Sequence, residues 1–199
     1  MQGGILAIDQ ATQTGLAYCN PGARPAPTWL EAKSGIKGDK HYSSTHKLGR
    51  EKADPVDKVI AMDQLLQDHI TLHQPKFVMM EAILIAGSQG NQQTALTTFG
   101  LAMKIEEVCK RNGIRIFDVH IGTWRSHFIG AGHGKNPNLK RIVQRRCDAL
   151  GWGYQDDNES DSLGILDYAI WFFTDRGMMP QPPEGSNMSP ADNLPKIDF

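Results

Sequence analysis

The amino-acid sequence predicts an α/β fold in which a mixed five-stranded sheet is flanked by helices. Short apolar runs predict buried strands over 4–9, 77–81 and 114–119. The run over 15–19 follows the first strand closely enough to form a hairpin with it, and 28–32 is the predicted third strand. Because helical patterns separate the later strands, we expect three antiparallel strands first and alternating helices and strands after them.

Four helices are predicted between and after these strands. The first begins at Asp54-Pro55, because an acid at the N-cap followed by proline is typical of a helix start. The second spans 94–111, the third is a basic amphipathic helix over 139–150, and the last spans 160–174 and is apolar in its middle. These helices are long enough to cover both faces of a sheet.

The remaining segments are predicted as loops and a tail. The polar stretch 37–52 and the Gly- and Gln-rich stretch 86–93 lack periodic apolar residues. Residues 177–199 contain five prolines and few apolar residues, a composition typical of disorder. We therefore divide the chain into one folded domain, 1–176, and a tail, 177–199.

The composition is that of an ordinary globular protein. The chain has 199 residues, 40% of them hydrophobic and 22% charged, which is enough for one sizeable core. No apolar run approaches the roughly 20 residues that span a bilayer, and the N-terminus lacks the features of a signal peptide, so we expect a cytoplasmic protein without membrane contact. Cys19, Cys109 and Cys147 match neither a disulfide framework nor a metal motif, and we expect buried thiols.

The net charge of −1 hides an uneven distribution. Residues 101–146 carry ten basic and three acidic side chains, whereas residues 147–199 carry two basic and ten acidic ones. Such a split indicates a basic binding surface beside an acidic region that can hold metal. Two ordinary solvated faces would give the same charges, so this pattern alone leaves both interpretations open.

Acidic residues occupy three places where metal chemistry is expected. Asp9 and Glu81 each end an apolar strand, and their carboxylates converge if the two strands are neighbours. Asp157 and Asp161 are four residues apart and share one side of the last helix if it starts early enough. Clustered carboxylates repel one another unless a cation neutralises them, and oxygen ligands favour Mg²⁺ or Mn²⁺. A strand-end Asp can also be a turn residue, and acids at a helix start can be caps.

Three motifs together resemble those of the RuvC-type Holliday-junction resolvases, especially the divergent phage and prophage members of this branch of the RNase H-like superfamily. ILAIDQATQTGLAYC, which contains Asp9, looks like the first motif of that family, and FVMMEA, with Glu81, looks like the second. DDNESDSLGILDYA, which contains Asp161, looks like the last. The resemblance covers residues 4–175 and implies an RNase H-like fold.

The resemblance implies three catalytic, metal-binding carboxylates: Asp9, Glu81 and Asp161. The fourth ligand lies four residues before Asp161 in phage members, which is Asp157, and three before it in better-known members, which is Asn158. We favour Asp157 because asparagine brings no charge, and Glu159 is a further candidate. The implied cofactor is Mg²⁺, for which Mn²⁺ substitutes, and the implied reaction is two-metal phosphodiester hydrolysis.

The resemblance also implies DNA-binding residues in the turn after the first strand, the loop after the second motif and the basic segment before the last motif. They are Thr12, Gln89, Gln92, Arg125, Lys135, Lys140, Arg141 and Arg145. Trp124, beside Arg125, matches a Trp-Arg element of phage relatives, but it suits a plain core position as well. Lysine and arginine side chains beside a Gly-rich turn suit phosphate groups.

The implied activity is that of a crossover junction endodeoxyribonuclease, an enzyme that resolves four-way DNA junctions by paired nicks. Since two opposed strands must be cut, the resemblance implies a homodimer, with Phe99 and Met103 of the helix after Glu81 at the contact. Branched DNA is the expected partner, and the host cytoplasm is the expected location if a phage encodes the chain.

Three alternatives stay open at this point. The first is a related nuclease that acts on flapped or other branched DNA. The second is a non-catalytic DNA-binding relative, which Asn158 favours because it occupies an expected acidic position. The third is an ATP-binding domain, because Asp-X-X-Thr-X-Thr-Gly from Asp9 to Gly15 resembles the phosphate loop of actin-like ATPases and sugar kinases. Those proteins need two such domains, and a kinase leaves the basic helix unexplained.

Overall fold

The computed structural model describes residues 3–21, 41–50, 53–83, 92–130 and 138–180, and its centre is a five-stranded sheet. The strands are β1 Ile5–Asp9, β2 Gln13–Cys19, β3 His41–Lys47, β4 Phe77–Glu81 and β5 Arg115–Val119. Across the sheet they follow the order β3-β2-β1-β4-β5. β2 pairs antiparallel with β1 and β3, whereas β4 pairs parallel with β1 and β5. The predicted mixed sheet, with its first three strands antiparallel, is confirmed.

The third strand lies where the sequence predicts a loop. The prediction of a loop over 37–52 is wrong for 41–47, because β3 pairs there with β2 from Gln13 to Cys19. Residues 37–40, 51 and 52 lie outside the described residues. The predicted strand over 28–32 lies outside the described residues. A polar edge strand escapes a search for apolar runs, so β3 carries no signal that such a search detects.

The polar side chains of β3 are explained by their partners in the last helix. The Ser43 hydroxyl donates a hydrogen bond to the Glu159 carboxylate. The Thr45 hydroxyl donates one to Asp156 Oδ1 at 2.6 Å. Because side chains two residues apart share one face of a strand, both hydroxyls contact the same helix start. β3 is therefore attached to the sheet by its backbone and to the helix by these two hydroxyls.

The described residues contain five helices: α1 Pro55–His73, α2 Gln92–Arg111, α3 Ile121–Ile129, α4 Leu139–Leu150 and α5 Asp157–Asp175. The predicted start of α1 is confirmed, since Asp54 accepts a hydrogen bond from the Asp57 amide at 2.9 Å. α3 is an additional helix that the sequence periodicity does not predict. It follows β5 directly, and His120 caps it by accepting a hydrogen bond from the Gly122 amide at 3.0 Å.

Alternate residues of each strand face opposite layers of helices. Ile5 and Phe77 pack in one core cluster with side chains of α3, α4 and α5. Leu6, one residue further along β1, packs in a second cluster with side chains of α1 and α2. Because side chains alternate along a strand, Asp9 and Glu81 project to the same side as Ile5 and Phe77. Both acid-bearing strand ends therefore face the layer of α3, α4 and α5.

Other predictions concern the cysteines, the tail and the membrane. Cys19, Cys109 and Cys147 are free and buried, as predicted, and burial raises the pKa of Cys19 to about 12. Met178 and Met179 pack against the core although they follow the predicted domain end. Within the described ranges, no helix has the length and apolarity needed to cross a bilayer. The tail and the cytoplasmic location stay predictions.

Candidate active site

Asp9 and Glu81 end two neighbouring parallel strands. β1 and β4 pair with Ile8 opposite Met80, which places both acids at the same edge of the sheet. The Gln10 side-chain amide donates a hydrogen bond to the main-chain carbonyl of Glu81 and ties the two strand ends together. The sequence predicts that the carboxylates of Asp9 and Glu81 converge if their strands are neighbours. β1 and β4 are neighbours.

α5 brings a third carboxylate to this edge. Asp156 caps the helix by accepting a hydrogen bond from the Glu159 amide at 2.9 Å, so α5 begins at Asp157. Asp161 lies one turn further along and is only 5% exposed. The early helix start places Asp157 and Asp161 on one side of the helix, as residues four apart require.

Gly15 sets the distance between β2 and the start of α5. It pairs with Asp9 across the hairpin, and a Cβ built on it would lie 2.0 Å from the carbonyl oxygen of Asn158. A glycine inside a strand often marks such a close approach of two backbones. Because Gly15 has no side chain, the hairpin that carries Asp9 can lie this close to the helix that carries Asp161.

The carboxylates at this edge are poorly hydrated, since Asp161 is buried and Asp9 and Glu81 are half-buried at their strand ends. Burial raises the pKa of Asp9 well above its usual range, and the charges of Asp161 and Glu81 raise it further. Burial also raises the pKa of Asp161 to about 6, although the Arg125 guanidinium acts in the opposite direction. Burial raises the pKa of Glu81, whereas the hydrogen bond from Trp124 acts to lower it. Such a poorly hydrated group of like charges favours the binding of a cation.

Arg125 lies inside this cluster and not on the surface. Its Nη2 donates a hydrogen bond to Asp161 Oδ2 at 3.0 Å, and the residue is 9% exposed. The guanidinium therefore takes part in a buried ion pair, whereas the sequence predicts a DNA contact for Arg125. Trp124 is fully buried, and its Nε1 donates a hydrogen bond to Glu81 Oε2 at 3.0 Å. The indole is thus a core side chain and a partner of the site.

Lys140, near the start of α4, reaches the cluster from its open side. Its ammonium donates a hydrogen bond to Asp157 Oδ2, while 61% of the lysine side chain stays exposed. This bond raises the pKa of Lys140 and lowers that of Asp157. The Lys140 charge also lowers the pKa of Asp9 and Asp161. The acidic helix start and the basic helix therefore meet at the mouth of the site.

The two other candidates for the fourth ligand are placed differently from Asp157. Glu159 is fully buried, and its carboxylate accepts hydrogen bonds from the Ser43 hydroxyl and from the Gln155 amide, the latter at 2.9 Å. Both oxygens of Glu159 are thus bound within the protein. The main-chain carbonyl of Asn158 lies next to Gly15, where β2 and the start of α5 approach each other closely. We keep Asp157 as the proposed fourth ligand.

Several predicted DNA-binding residues lie on the surface. Arg141 and Arg145 are exposed one turn apart on α4, whose opposite face is buried. Thr12 is exposed in the turn after β1, and Gln92 is exposed at the start of α2. Two further predicted DNA-binding residues lie outside the described residues: Gln89 and Lys135. With Lys140, the exposed arginines of α4 form a basic face beside the carboxylates.

The carboxylate cluster fits a divalent metal ion by its chemistry. Asp161 Oδ1 is buried and has no hydrogen-bond partner among the described residues, and oxygen donors suit Mg²⁺ or Mn²⁺. In the part of the chain that the structure describes, no three His, Cys, Asp or Glu side chains form a group that could hold a metal ion as they stand. The charges of the carboxylates repel one another in the absence of a cation.

The overall architecture is similar to that of solved resolvase structures. RuvC from Thermus thermophilus is 14% identical, with a TM-score of 0.62 over 88% of this chain and 98% of that chain. RuvC from the same organism in complex with a Holliday junction substrate is also 14% identical, with a TM-score of 0.62 over 89% and 98%. The yeast mitochondrial Holliday junction resolvase Ydc2 is 12% identical, with a TM-score of 0.54 over 83% and 77%.

Sequence comparison gives no such likeness, because neither a protein-family model nor a curated protein matches the chain. At 12–14% identity the structural likeness establishes the fold. The likeness covers most of the chain. The chain therefore has the RuvC-like, RNase H-like fold that its three acidic motifs predict.

Proposed function

We propose that this protein is a Mg²⁺-dependent endonuclease that resolves four-way DNA junctions by paired nicks. One observation carries the proposal: Asp9, Glu81 and Asp161, from three different elements, come together as a poorly hydrated group of carboxylates that repel one another. This group lies in a fold whose solved examples include RuvC bound to a Holliday junction substrate. Asp157 and Lys140 border the group on its open side.

The residues divide into metal-binding and phosphate-binding groups. Asp9, Glu81, Asp161 and Asp157 would hold Mg²⁺, or Mn²⁺ in its place, and such an ion activates water and neutralises phosphate charge when bound. Lys140 supplies an ammonium at the mouth of the site, where a DNA phosphate has to arrive. The buried side chains behind the carboxylates exclude water and strengthen each charge interaction. The exposed arginines of α4 extend this positive surface along the DNA.

The decisive experiment compares a labelled four-way junction, a flap and a plain duplex, each incubated with the full chain in Mg²⁺ and in EDTA. We expect symmetric nicks in the junction in Mg²⁺ and none in EDTA. Preferred cleavage of the flap would assign the chain to a related nuclease of branched DNA. Tight junction binding without cleavage in Mg²⁺ or Mn²⁺ would overturn the proposal in favour of a non-catalytic relative. Asn158 favours that alternative, because it occupies an expected acidic position.

Removal of two exposed charges from α4 should weaken DNA binding independently of sequence. We expect the Arg141→Ala, Arg145→Ala double variant to bind junctions less tightly. If each guanidinium contacts one phosphate, the slope of log K against log salt should fall by about 2, since each contact contributes about 0.9. Binding at several salt concentrations in EDTA measures the slope.

The matched control removes the same net charge from the other side of the sheet. Lys110 and Arg111 are exposed at the end of α2, which packs on the opposite face from α4. The Lys110→Ala, Arg111→Ala variant should keep the wild-type slope. Equal slopes for all three proteins would exclude the α4 face from the DNA-binding surface.

We infer that a second copy of the chain covers an apolar surface on α1 and α2. Its large hydrophobic side chains are exposed by 43 to 65%: Val56, Ile60, Leu96, Phe99 and Met103. The two helices pack together where Gly100 lies against Val59. Contiguous exposed apolar surface on two packed helices is typical of a protein interface. A homodimer would place two active sites on one junction, which paired nicking of opposed strands requires.

A charge placed in this surface should separate the dimer. In Met103→Glu an unpaired carboxylate would be buried at the contact, at a cost of at least about 3 kcal/mol, or on the order of 100-fold in the dimer Kd. Sedimentation equilibrium measures that Kd, and paired nicking should fall with it. Leu72→Glu is the control, because Leu72 is 68% exposed at the other end of α1. A Met103→Glu protein that dimerises like the wild type would rule out this surface.

A further inference from the structure

Two consecutive residues of α3 each hold a different carboxylate of the candidate site. Trp124 Nε1 donates a hydrogen bond to Glu81 Oε2 at 3.0 Å. Arg125 Nη2 donates one to Asp161 Oδ2 at 3.0 Å. Glu81 lies on β4 and Asp161 on α5, so this dipeptide is linked to two of the three elements that form the acidic group.

Both donors are held rigidly by packing. Trp124 is fully buried, and its ring lies so close to α5 that a Cβ on Gly164 would be 2.6 Å from Cζ3. The Arg125 guanidinium carbon lies 5.0 Å from the centroid of the Trp124 ring, a cation–π distance. The helix itself is capped by His120 directly after β5. The two donors therefore have little freedom to follow a moving carboxylate.

Each of the two carboxylates keeps its second oxygen for another partner. Asp161 Oδ1 is buried and has no hydrogen-bond partner among the described residues. For Glu81, the side-chain bond found within those ranges goes to Oε2 and not to Oε1. A carboxylate held at one oxygen by a rigid donor has a restricted orientation, and its second oxygen is presented in a restricted direction. A hydrogen-bond partner that restricts a carboxylate in this way affects how tightly that carboxylate binds a metal ion.

We propose that Trp124 and Arg125 are positioning residues that orient Glu81 and Asp161 and thereby set the affinity of the site for a divalent ion. Both side chains are buried, so we assign them no contact with DNA or with the reacting atoms. This inference rests on the proposed function only in that the acidic group binds a divalent ion. It explains why Arg125 is buried although Arg141 and Arg145 of the same basic segment are exposed.

The test is a Mn²⁺ titration of the DNA-free full-length protein, with free Mn²⁺ measured by electron paramagnetic resonance. Trp124→Phe removes the indole N–H and keeps an aromatic ring. We expect the Mn²⁺ dissociation constant to rise about 10-fold, the lower end of the usual effect of losing a partner of a metal ligand. The Mg²⁺ concentration for half-maximal junction cleavage should rise in parallel.

The matched control is Trp152→Phe, which trims another buried indole of the same core cluster. The Trp152 ring stacks on Phe128 with centroids 5.7 Å apart. We expect Trp152→Phe to lower the melting temperature without changing Mn²⁺ affinity. If both variants weaken Mn²⁺ binding equally, or if Trp124→Phe binds like the wild type, Trp124 is only a packing residue and its positioning role is overturned.

Arg125→Lys provides a second variant that keeps the positive charge and loses the guanidinium geometry. We expect a rise of about 10-fold in the Mn²⁺ dissociation constant here as well, and an unchanged constant would overturn the role of Arg125. A wild type that binds Mn²⁺ but leaves junctions intact would contradict the proposed function alone. A wild type that cleaves junctions, together with unaltered Mn²⁺ binding in both variants, would contradict this inference alone.

Discussion

Replacing Asp9 by asparagine should abolish junction cleavage and leave junction binding nearly intact. A carboxylate at the end of β1 is lost, while Lys140 and the exposed arginines of α4 keep their phosphate contacts. Metal-ion stabilisation of the transition state amounts to several kcal/mol, so we expect the rate to fall by about 1000-fold or more. Single-turnover cleavage and binding in Ca²⁺ measure the two effects separately. Full cleavage by Asp9→Asn in Mg²⁺ would remove Asp9 from the site.

The same substitution should stabilise the protein in EDTA. Burial and the charges of Asp161 and Glu81 raise the pKa of Asp9, so the folded state binds a proton more tightly than the unfolded state does. The unfavourable contribution of Asp9 to stability therefore grows as the pH rises from its ordinary pKa through the raised one. The melting temperature of Asp9→Asn should exceed that of the wild type at pH 8 and approach it at pH 4.

The control for this stability effect is Asp118→Asn, which removes an exposed carboxylate from β5. We expect its melting temperature to stay close to that of the wild type, since the substitution of an exposed side chain changes stability little. An Asp9→Asn protein that melts below the wild type at pH 8 would show that Asp9 stabilises the fold. That result would contradict the account of Asp9 as a residue kept for function at the expense of stability.

The sequence predicts the sheet well because most of its strands are apolar runs bounded by turns. The alternation along β1 and β4 even places Asp9 and Glu81 on one face once the strands are known to be neighbours. β3 is missed because polar partners surround it: Ser43 is bound to Glu159 on one side. On the other side the His46 ring lies 5.3 Å from the ring of His69 on α1. A strand of that kind has no apolar face to detect.

The site is only partly predictable because a sequence gives charges without their partners. Arg125 belongs to a basic segment, and nothing in that segment distinguishes it from the arginines of α4 that stay exposed. Glu159 belongs to an acidic run, yet it holds β3. Gln10 and Trp124 were not predicted as partners of Glu81. Weak signals of these roles exist in the sequence, because Gln10 directly follows the strand-end Asp9 and Trp124 directly precedes Arg125.

The largest effect outside the carboxylates is expected from one methyl group on the hairpin. In Gly15→Ala the new Cβ would lie 2.0 Å from the Asn158 carbonyl oxygen, far inside contact distance. That oxygen belongs to the backbone of the first turn of α5, so the helix start has to move by about an ångström. Such overpacking costs about 1–3 kcal/mol. The displacement also carries Asp157 and Asp161 away from Asp9.

Cleavage should therefore suffer far more than stability. A misplacement of about 1 Å in a catalytic constellation lowers the rate by about 100-fold, so we expect that loss in single-turnover cleavage by Gly15→Ala. Gly4→Ala is the matched control, because its Cβ would also lie 2.0 Å from a backbone oxygen, that of Cys19, at the opposite end of the same hairpin. If both variants lose stability equally but only Gly15→Ala loses cleavage, the distance between β2 and α5 controls the chemistry. Equal losses of cleavage would mean that the hairpin acts through general stability, and the link between Gly15 and the acidic helix would fail.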